Sequence, residues 1–350
     1  MRLIRPLYVA RLLALLLAFG VFVPASGVEA AAQKKTTRTV ARKPAYSASA
    51  SQARKARLAR ARAAAKAREQ ARLQALQEAM RPRFKTDANG ALVPDIRAAA
   101  AIIFDPESGQ VLWEENAQDK RSIASITKVM TALVFLEDNP DLSREITVER
   151  GDTYAASTTY LRTNDRITLD EVLHLTLIAS DNAGARVLAR VSHGGTASFV
   201  ERMNEKAVEL GLESTSFADP SGLNPANISS AYDLSRLISF ASANDTLAPI
   251  MRTASYNAHT SKRTIAIRNT NHLVRGGEVD VLGGKTGFIS KAGYCLATLL
   301  RLPQSNHQVA VVVLGAGSNN GRFWETRHLF NWLADKASDV FGKEQEQESK

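Results

Sequence analysis

The sequence predicts an α+β fold. One antiparallel sheet is built from strands near the two ends of the globular part and flanked by helices, and the middle of the chain supplies a second, mostly helical subdomain. Three observations carry this. Strand-like runs with turn residues between them occupy residues 98–116 and again residues 278–317. Between these runs, apolar residues recur at helical spacing. Strands at both ends with helices between are accommodated by one sheet and a helical layer, leaving a cleft where the two parts meet.

The chain has 350 residues, enough for one large domain with a full core. Residues 1–30 read as a secretory signal peptide. Arg2, Arg5 and Arg11 precede the apolar stretch 12–23, and small residues follow, ending in Val28-Glu29-Ala30. That stretch is short for a membrane span, which takes about 20 residues; an uncleaved anchor is the alternative, and either way the remainder is exported. No second apolar stretch of spanning length is expected. Residues 31–85 form a basic Ala/Arg-rich linker, disordered to helical. The formal net charge of the whole chain is +10, but residues 34–85 hold sixteen Lys/Arg against two Glu, a net of +14. Residues 1–33 contribute +2, so residues 86–350 carry −6. The first part of the arm is Ser/Thr/Ala-rich; the second, from Ala53, is rich in helix formers until Pro82 stops it. The arm reads either as a solvated spacer or as an electrostatic tether to an anionic membrane or wall polymer. Export and the lack of interleaved aromatics argue against nucleic acid.

Residues 86–341 form the globular domain, and residues 342–350 a polar tail. The stretch 98–116 gives two strands around Asp-Pro-Glu-Ser-Gly, a turn sequence. A helix opens at Ser125. Residues 169–191 give two helices broken at Ser180-Asp181-Asn182; a further helix is ended by Gly211, and another lies within 232–242. Three late strands follow, within 278–289, 292–302 and 307–317. A final amphipathic helix buries Phe323, Trp324, Leu329, Phe330 and Leu333 as core. The single cysteine, Cys295, excludes an internal disulfide and reads as a buried, inert thiol. Six scattered histidines without ligand spacing argue against a metal site, and no cofactor is implied.

Three motifs carry chemistry. Ser125 and Lys128 are three apart, so they share a face at a helix start. A lysine that is desolvated or crowded by another cation loses its proton near neutral pH and can act as base toward a serine. Ser180-Asp181-Asn182 sits at the break between two apolar helices, where a pinned turn can aim a hydroxyl and an amide into a cleft. Gly283–Phe288, "GGKTGF", lies on a late strand; glycines there mark close approach of another backbone or a ligand. Lys285 and Thr286 suit a carboxylate, and Lys285 could be the cation that crowds Lys128.

Ser-x-x-Lys followed by Ser-Asp-Asn and Lys-Thr-Gly is the combined signature of class A β-lactamases and penicillin-binding proteins. From about Asp95 to Phe341 the chain resembles the serine D-alanyl-D-alanine peptidases, the low-molecular-mass penicillin-binding proteins. "FADPSGLNPANISSAYDL" and "RNTNHLV" look most like the endopeptidase branch, which cuts D-alanyl–diaminopimelate cross-links. The resemblance implies a β-lactamase/DD-peptidase-like fold, peptidoglycan stem peptides as substrate and β-lactams as covalent inhibitors; together with the signal peptide it implies a periplasmic location, and the charge of the arm adds peripheral membrane association as an expectation. It implies roles as well. Ser125 would form an acyl-enzyme, with Lys128 as its base. Ser180 would relay a proton to the leaving amine, and Asn182 would hold the substrate or Lys128. Lys285 and Thr286 would grip a carboxylate, and the N–H groups of Ser125 and Phe288, the latter beside Gly287, would form an oxyanion hole. One departure matters: Glu213 lacks the Glu-x-x-x-Asn context of the deacylating glutamate in class A β-lactamases, so penicillin should inhibit rather than be hydrolysed efficiently.

Overall fold

The computed structural model describes residues 48–303 and 306–348; the segment expected as a signal peptide lies outside them. The chain divides into two compact units, Met1–Ala67 and Arg68–Lys350. Helix α1 (Ala48–Met80) runs through the division. Its second part is tied to the larger unit before Pro82 is reached. Arg97 donates to the carbonyls of Glu78 and Ala79, both at 3.2 Å, satisfying groups that a helix end leaves open.

The short antiparallel pair β1 (Phe84–Thr86) and β2 (Leu92–Pro94) follows. Then comes the expected hairpin, β3 (Ala100–Phe104) and β4 (Val111–Glu115). Its turn is held by Asp105, whose carboxylate accepts from the Glu107 N–H and the Ser108 hydroxyl. The middle of the chain is helical: α2 (Lys128–Glu137) enters after strand β5 (Arg121–Ser122), and β6 (Glu145–Thr147), α3 (Arg150–Thr153) and β7 (Arg166–Thr168) lead to α4 (Leu169–Ile178). Next are α5 (Asn182–Val191), α6 (Gly195–Glu209), β8 (Ile228–Ser229), α7 (Ala231–Ser242) and α8 (Leu247–Met251). A hairpin that the sequence reading passed over, β9 (Ser255–His259) and β10 (Thr264–Arg268), precedes α9 (His272–Gly276). The chain closes with β11 (Asp280–Ile289), β12 (Gly293–Arg301), β13 (Gln308–Ala316) and α10 (Asn319–Glu348).

Five strands form the main sheet in the order β11-β12-β13-β3-β4, antiparallel throughout, so the last three strands join the first hairpin as predicted. Both faces are covered, which is why its inner strands read as continuous apolar runs rather than as alternation. Along β13, Ala310, Val312 and Leu314 face the helical core, while Val309, Val311 and Val313 face a second core. That second core is filled by Phe323, Leu329, Phe330 and Leu333 of α10; Trp324 is only partly buried. Helix α10 continues to Glu348 through the stretch expected as a polar tail. Its Glu, Gln and Lys are good helix formers and no proline interrupts them. Cys295 is fully buried, and burial raises its thiol to about 11, so it is inert at neutral pH. No helix among the described residues is long and apolar enough to cross a membrane.

Leu296, wholly buried on the α10 side of β12, tests the two-faced core. Leu296→Ala should lower the unfolding free energy in urea by about 2–5 kcal/mol. A loss below about 1 kcal/mol would mean that this face is not tightly packed.

Candidate active site

The polypeptide around Ser125 is a 3-10 turn, Ala124–Thr127, and the α-helix starts at Lys128 rather than at Ser125. A tight first turn of this kind is common at helix starts. It is fixed from both ends: Ile123 donates to the Asn227 carbonyl at 3.1 Å, and the Thr127 hydroxyl to that of Ala124 at 2.8 Å. Ala124 has φ 49°, a left-handed conformation that a non-glycine residue holds only when its surroundings impose it.

Lys128 is fully buried, and its Nζ has three partners: Ser125 Oγ at 2.9 Å, Asn182 Oδ1 at 2.6 Å and the Ser221 carbonyl at 2.5 Å. Two of these partners are pure acceptors. A neutral amine has two N–H groups and one lone pair, so the amide and the carbonyl take both N–H groups. The lone pair is left for the Ser125 hydroxyl, which then donates. Burial is the main cause that lowers Lys128 to about 7; Asp219 and Asp181 oppose it, and Arg186 adds to it.

The second motif supplies the Asn182 contact. Asp181 caps α5 by accepting from the Gly184 N–H at 2.9 Å, and its carboxylate also takes the Thr159 hydroxyl and the Tyr160 N–H. Burial pushes Asp181 upward, and those hydrogen bonds counter it. The orientation of the Asn182 amide is set by its Nδ2, which donates to the Ala156 carbonyl at 2.7 Å. Ser180 has φ 60°, a second left-handed residue at the break between α4 and α5.

The third motif closes the site from the sheet edge. A Cβ at Gly287 would stand 2.6 Å from the Ile123 carbonyl, so only glycine lets β11 pass against the turn that carries Ser125. Lys285 is 1% exposed, and its Nζ bonds the Thr286 carbonyl at 3.1 Å. Burial, then repulsion from Lys128 and Arg322, holds it well below the usual lysine range. The crowding foreseen between the two amines is therefore expressed on Lys285, while Lys128 is depressed mainly by desolvation.

A cleft of about 410 Å³ lies over these groups. Ser125, Ser180, Asn182, Thr286, Gly287 and Phe288 all line it. Lys128 reaches it through Ser125. Lys285 is buried and is not among the residues that line it; the cation at the cleft wall is Arg322 of α10. Arg322 donates to the carbonyls of Gly287 and Cys295 at 3.0 and 3.1 Å, and Thr286 bonds Thr270, another cleft residue, at 2.7 Å. Glu213 is exposed and is not part of this wall.

Sequence reasoning passed over Arg322, which looks like one more charge on an amphipathic helix. It also passed over Ser221, whose carbonyl is the third partner of Lys128. Here a signal existed: Asp219-Pro-Ser-Gly is turn chemistry, and the Asp219 carboxylate folds the loop by accepting from Ser221, Gly222 and Asn227. Gly222 has φ +81°, and a Cβ on it would fall 2.0 Å from the Ala124 carbonyl oxygen. Gly222→Ala should therefore displace the Ser221 carbonyl from Lys128 and slow covalent labelling of Ser125 by penicillin by about 10²-fold. Labelling at the unmodified rate in a folded variant would show that this loop does not position the lysine.

Known proteins resemble the chain over most of its globular part. Residues 87–318 match the family model described as D-alanyl-D-alanine carboxypeptidase, peptidase S11. The D-alanyl-D-alanine endopeptidase of Escherichia coli K12 is 33% identical over 250 residues, covering 70% of this chain and 80% of that protein. The D-alanyl-D-alanine endopeptidase of Haemophilus influenzae is 34% identical over 224 residues, covering 63% and 77%. Among solved structures, the Streptomyces K15 DD-transpeptidase superposes with a TM-score of 0.64 at 29% identity, over 68% of this chain and 97% of that one. With two thirds of its length matched by the family model and the sheet and helices of a DD-transpeptidase, this chain belongs to the peptidase S11 family and is a serine-type D-Ala-D-Ala peptidase.

Proposed function

We propose that the protein is an exported, penicillin-sensitive endopeptidase that opens D-alanyl–diaminopimelate cross-links of peptidoglycan through an acyl-enzyme. The observation that carries the chemistry is the buried Lys128 amine within 2.9 Å of Ser125 Oγ with its two N–H groups already engaged. The Lys128 lone pair takes the hydroxyl proton as Ser125 Oγ attacks the carbonyl carbon. The developing oxyanion is received by the N–H groups of Ser125 and Phe288. The Ser180 hydroxyl, at the same cleft, passes a proton to the leaving amine, and water then releases the acyl group. Thr286 and Arg322 are the groups at the wall suited to a substrate carboxylate.

Likeness to the E. coli and H. influenzae endopeptidases over more than three quarters of their length favours cross-link cleavage over trimming of terminal D-alanine. Export is supported by residues 1–30 and by the location of the polymer. Slow hydrolysis of penicillin follows from the cleft, where no glutamate stands among the lining residues.

Purified cross-linked muropeptide dimers should be converted to monomers, as read by mass spectrometry. Dimers left intact while pentapeptides lose D-alanine would replace the endopeptidase reading with a carboxypeptidase one. Because the base form of Lys128 predominates above about 7, acylation by penicillin should rise as pH increases through that value and level off above it. Lys128→Arg, which cannot deprotonate in this range, should abolish acylation with the fold retained. Persistent acylation of that variant, or a rate that falls with rising pH, would remove Lys128 from the role of base.

A further inference from the structure

Helix α1 carries Arg54, Lys55, Arg57, Arg60, Arg62, Lys66, Arg68 and Arg72 against Glu69 and Glu78 only, and its side chains from Gln52 to Gln77 are exposed. At 1.5 Å per residue it is a rod of roughly 50 Å. Successive positions turn by roughly 100°, so Arg54, Lys55, Arg60 and Arg68 fall near 0°, 100°, 240° and 320°. Basic groups thus span roughly two thirds of the circumference, and the remaining third holds only Ala, Gln and Ser49. The large apolar residues Leu58, Leu73, Leu76 and Met80 do not occupy a face of their own. They fall within roughly 40–100°, the same arc as Lys55 and Arg62. A helix that lies in a bilayer surface needs its apolar and charged sides apart. Here the side that holds the large apolar residues would bring Lys55 and Arg62 with it, and the side free of basic groups offers only small or polar residues.

We propose that α1 is an electrostatic binding rod for the peptidoglycan polymer itself, recognising the free carboxylates of its stem peptides. The rod suits an extended polyanion that can approach from several directions, and the catalytic cleft of the same chain takes its substrate from that polymer. The proposal rests on the peptidoglycan reading of the active site. The helix holds the enzyme on its substrate between turnovers, by charge and without contact to the scissile bond.

The test uses the full chain after acylation with fluorescent penicillin, so that the cleft is blocked and the label reports an intact active site. Isolated sacculi, sacculi whose carboxylates have been converted to amides, and vesicles with one third anionic lipid are compared by co-sedimentation at about 50 and 500 mM salt. A variant with R54Q, K55Q, R57Q, R60Q, R62Q and K66Q keeps good helix formers at each position, and its helicity is checked by circular dichroism. The labelled native chain should bind native sacculi at low salt and lose most of that binding at high salt. Amidated sacculi and the variant should each show at least tenfold weaker binding, with penicillin labelling unchanged. Equal binding of the variant or of amidated sacculi would overturn the proposal, as would stronger capture by the vesicles than by native sacculi. Absence of penicillin labelling in the native chain would instead overturn the active-site reading on which it rests.

Discussion

A lysine amine stripped of water and given two acceptors and one hydroxyl is the constraint around which this structure is arranged. Ammonium would be satisfied by the same three partners, so hydrogen bonding alone does not decide the protonation state. Burial decides it, because a charged group without bulk solvent is disfavoured even where every N–H has a partner. Asp181 and Asp219 pull the other way, and both spend their carboxylates on backbone N–H groups and neighbouring side chains. Those carboxylates fix the loops that deliver Asn182 and the Ser221 carbonyl, so the same acids that build the site are prevented from dominating its electrostatics.

Each partner of Lys128 arrives on a different element, and the elements meet through glycines and strained residues. Gly287 lets the sheet edge touch the turn before Ser125, and Gly222 lets the Asp219 loop touch its other side. Ala124 and Ser180 accept left-handed backbone in return for placing the two serines at one cleft. The long-range packing of the sheet on the helical core makes this affordable, since strain of this kind persists only where the surroundings over-determine it.

Much of this was legible in the sequence. The late β-branched runs and the early hairpin gave the composition of the sheet, because strands buried on both faces leave an unmistakable apolar signature at Ile102–Phe104 and Val309–Leu314. Ser125, Lys128, Ser180, Asn182, Thr286 and Phe288 were found by motif, and the fold brings all of them to one cleft or its floor. Contributions made by backbone or at long range were not legible. Ser221 acts through its carbonyl, which any residue could supply. Arg322 becomes a wall of the cleft only because α10 packs against β12. The near-complete burial of Lys285 follows from how the sheet packs on the helical core, which a motif does not state. The strands of the hairpin β9–β10 alternate but are only five residues each and lie among turn residues, so they were passed over.

The central claim is that Lys128 is neutral in the resting protein near neutral pH. Nuclear magnetic resonance of lysine labelled at Cε, with the Lys128 signal assigned by its loss in the Lys128→Arg variant, measures this without any reaction. The account predicts that this signal titrates near 7. A midpoint close to the ordinary lysine value of about 10.4 would contradict it.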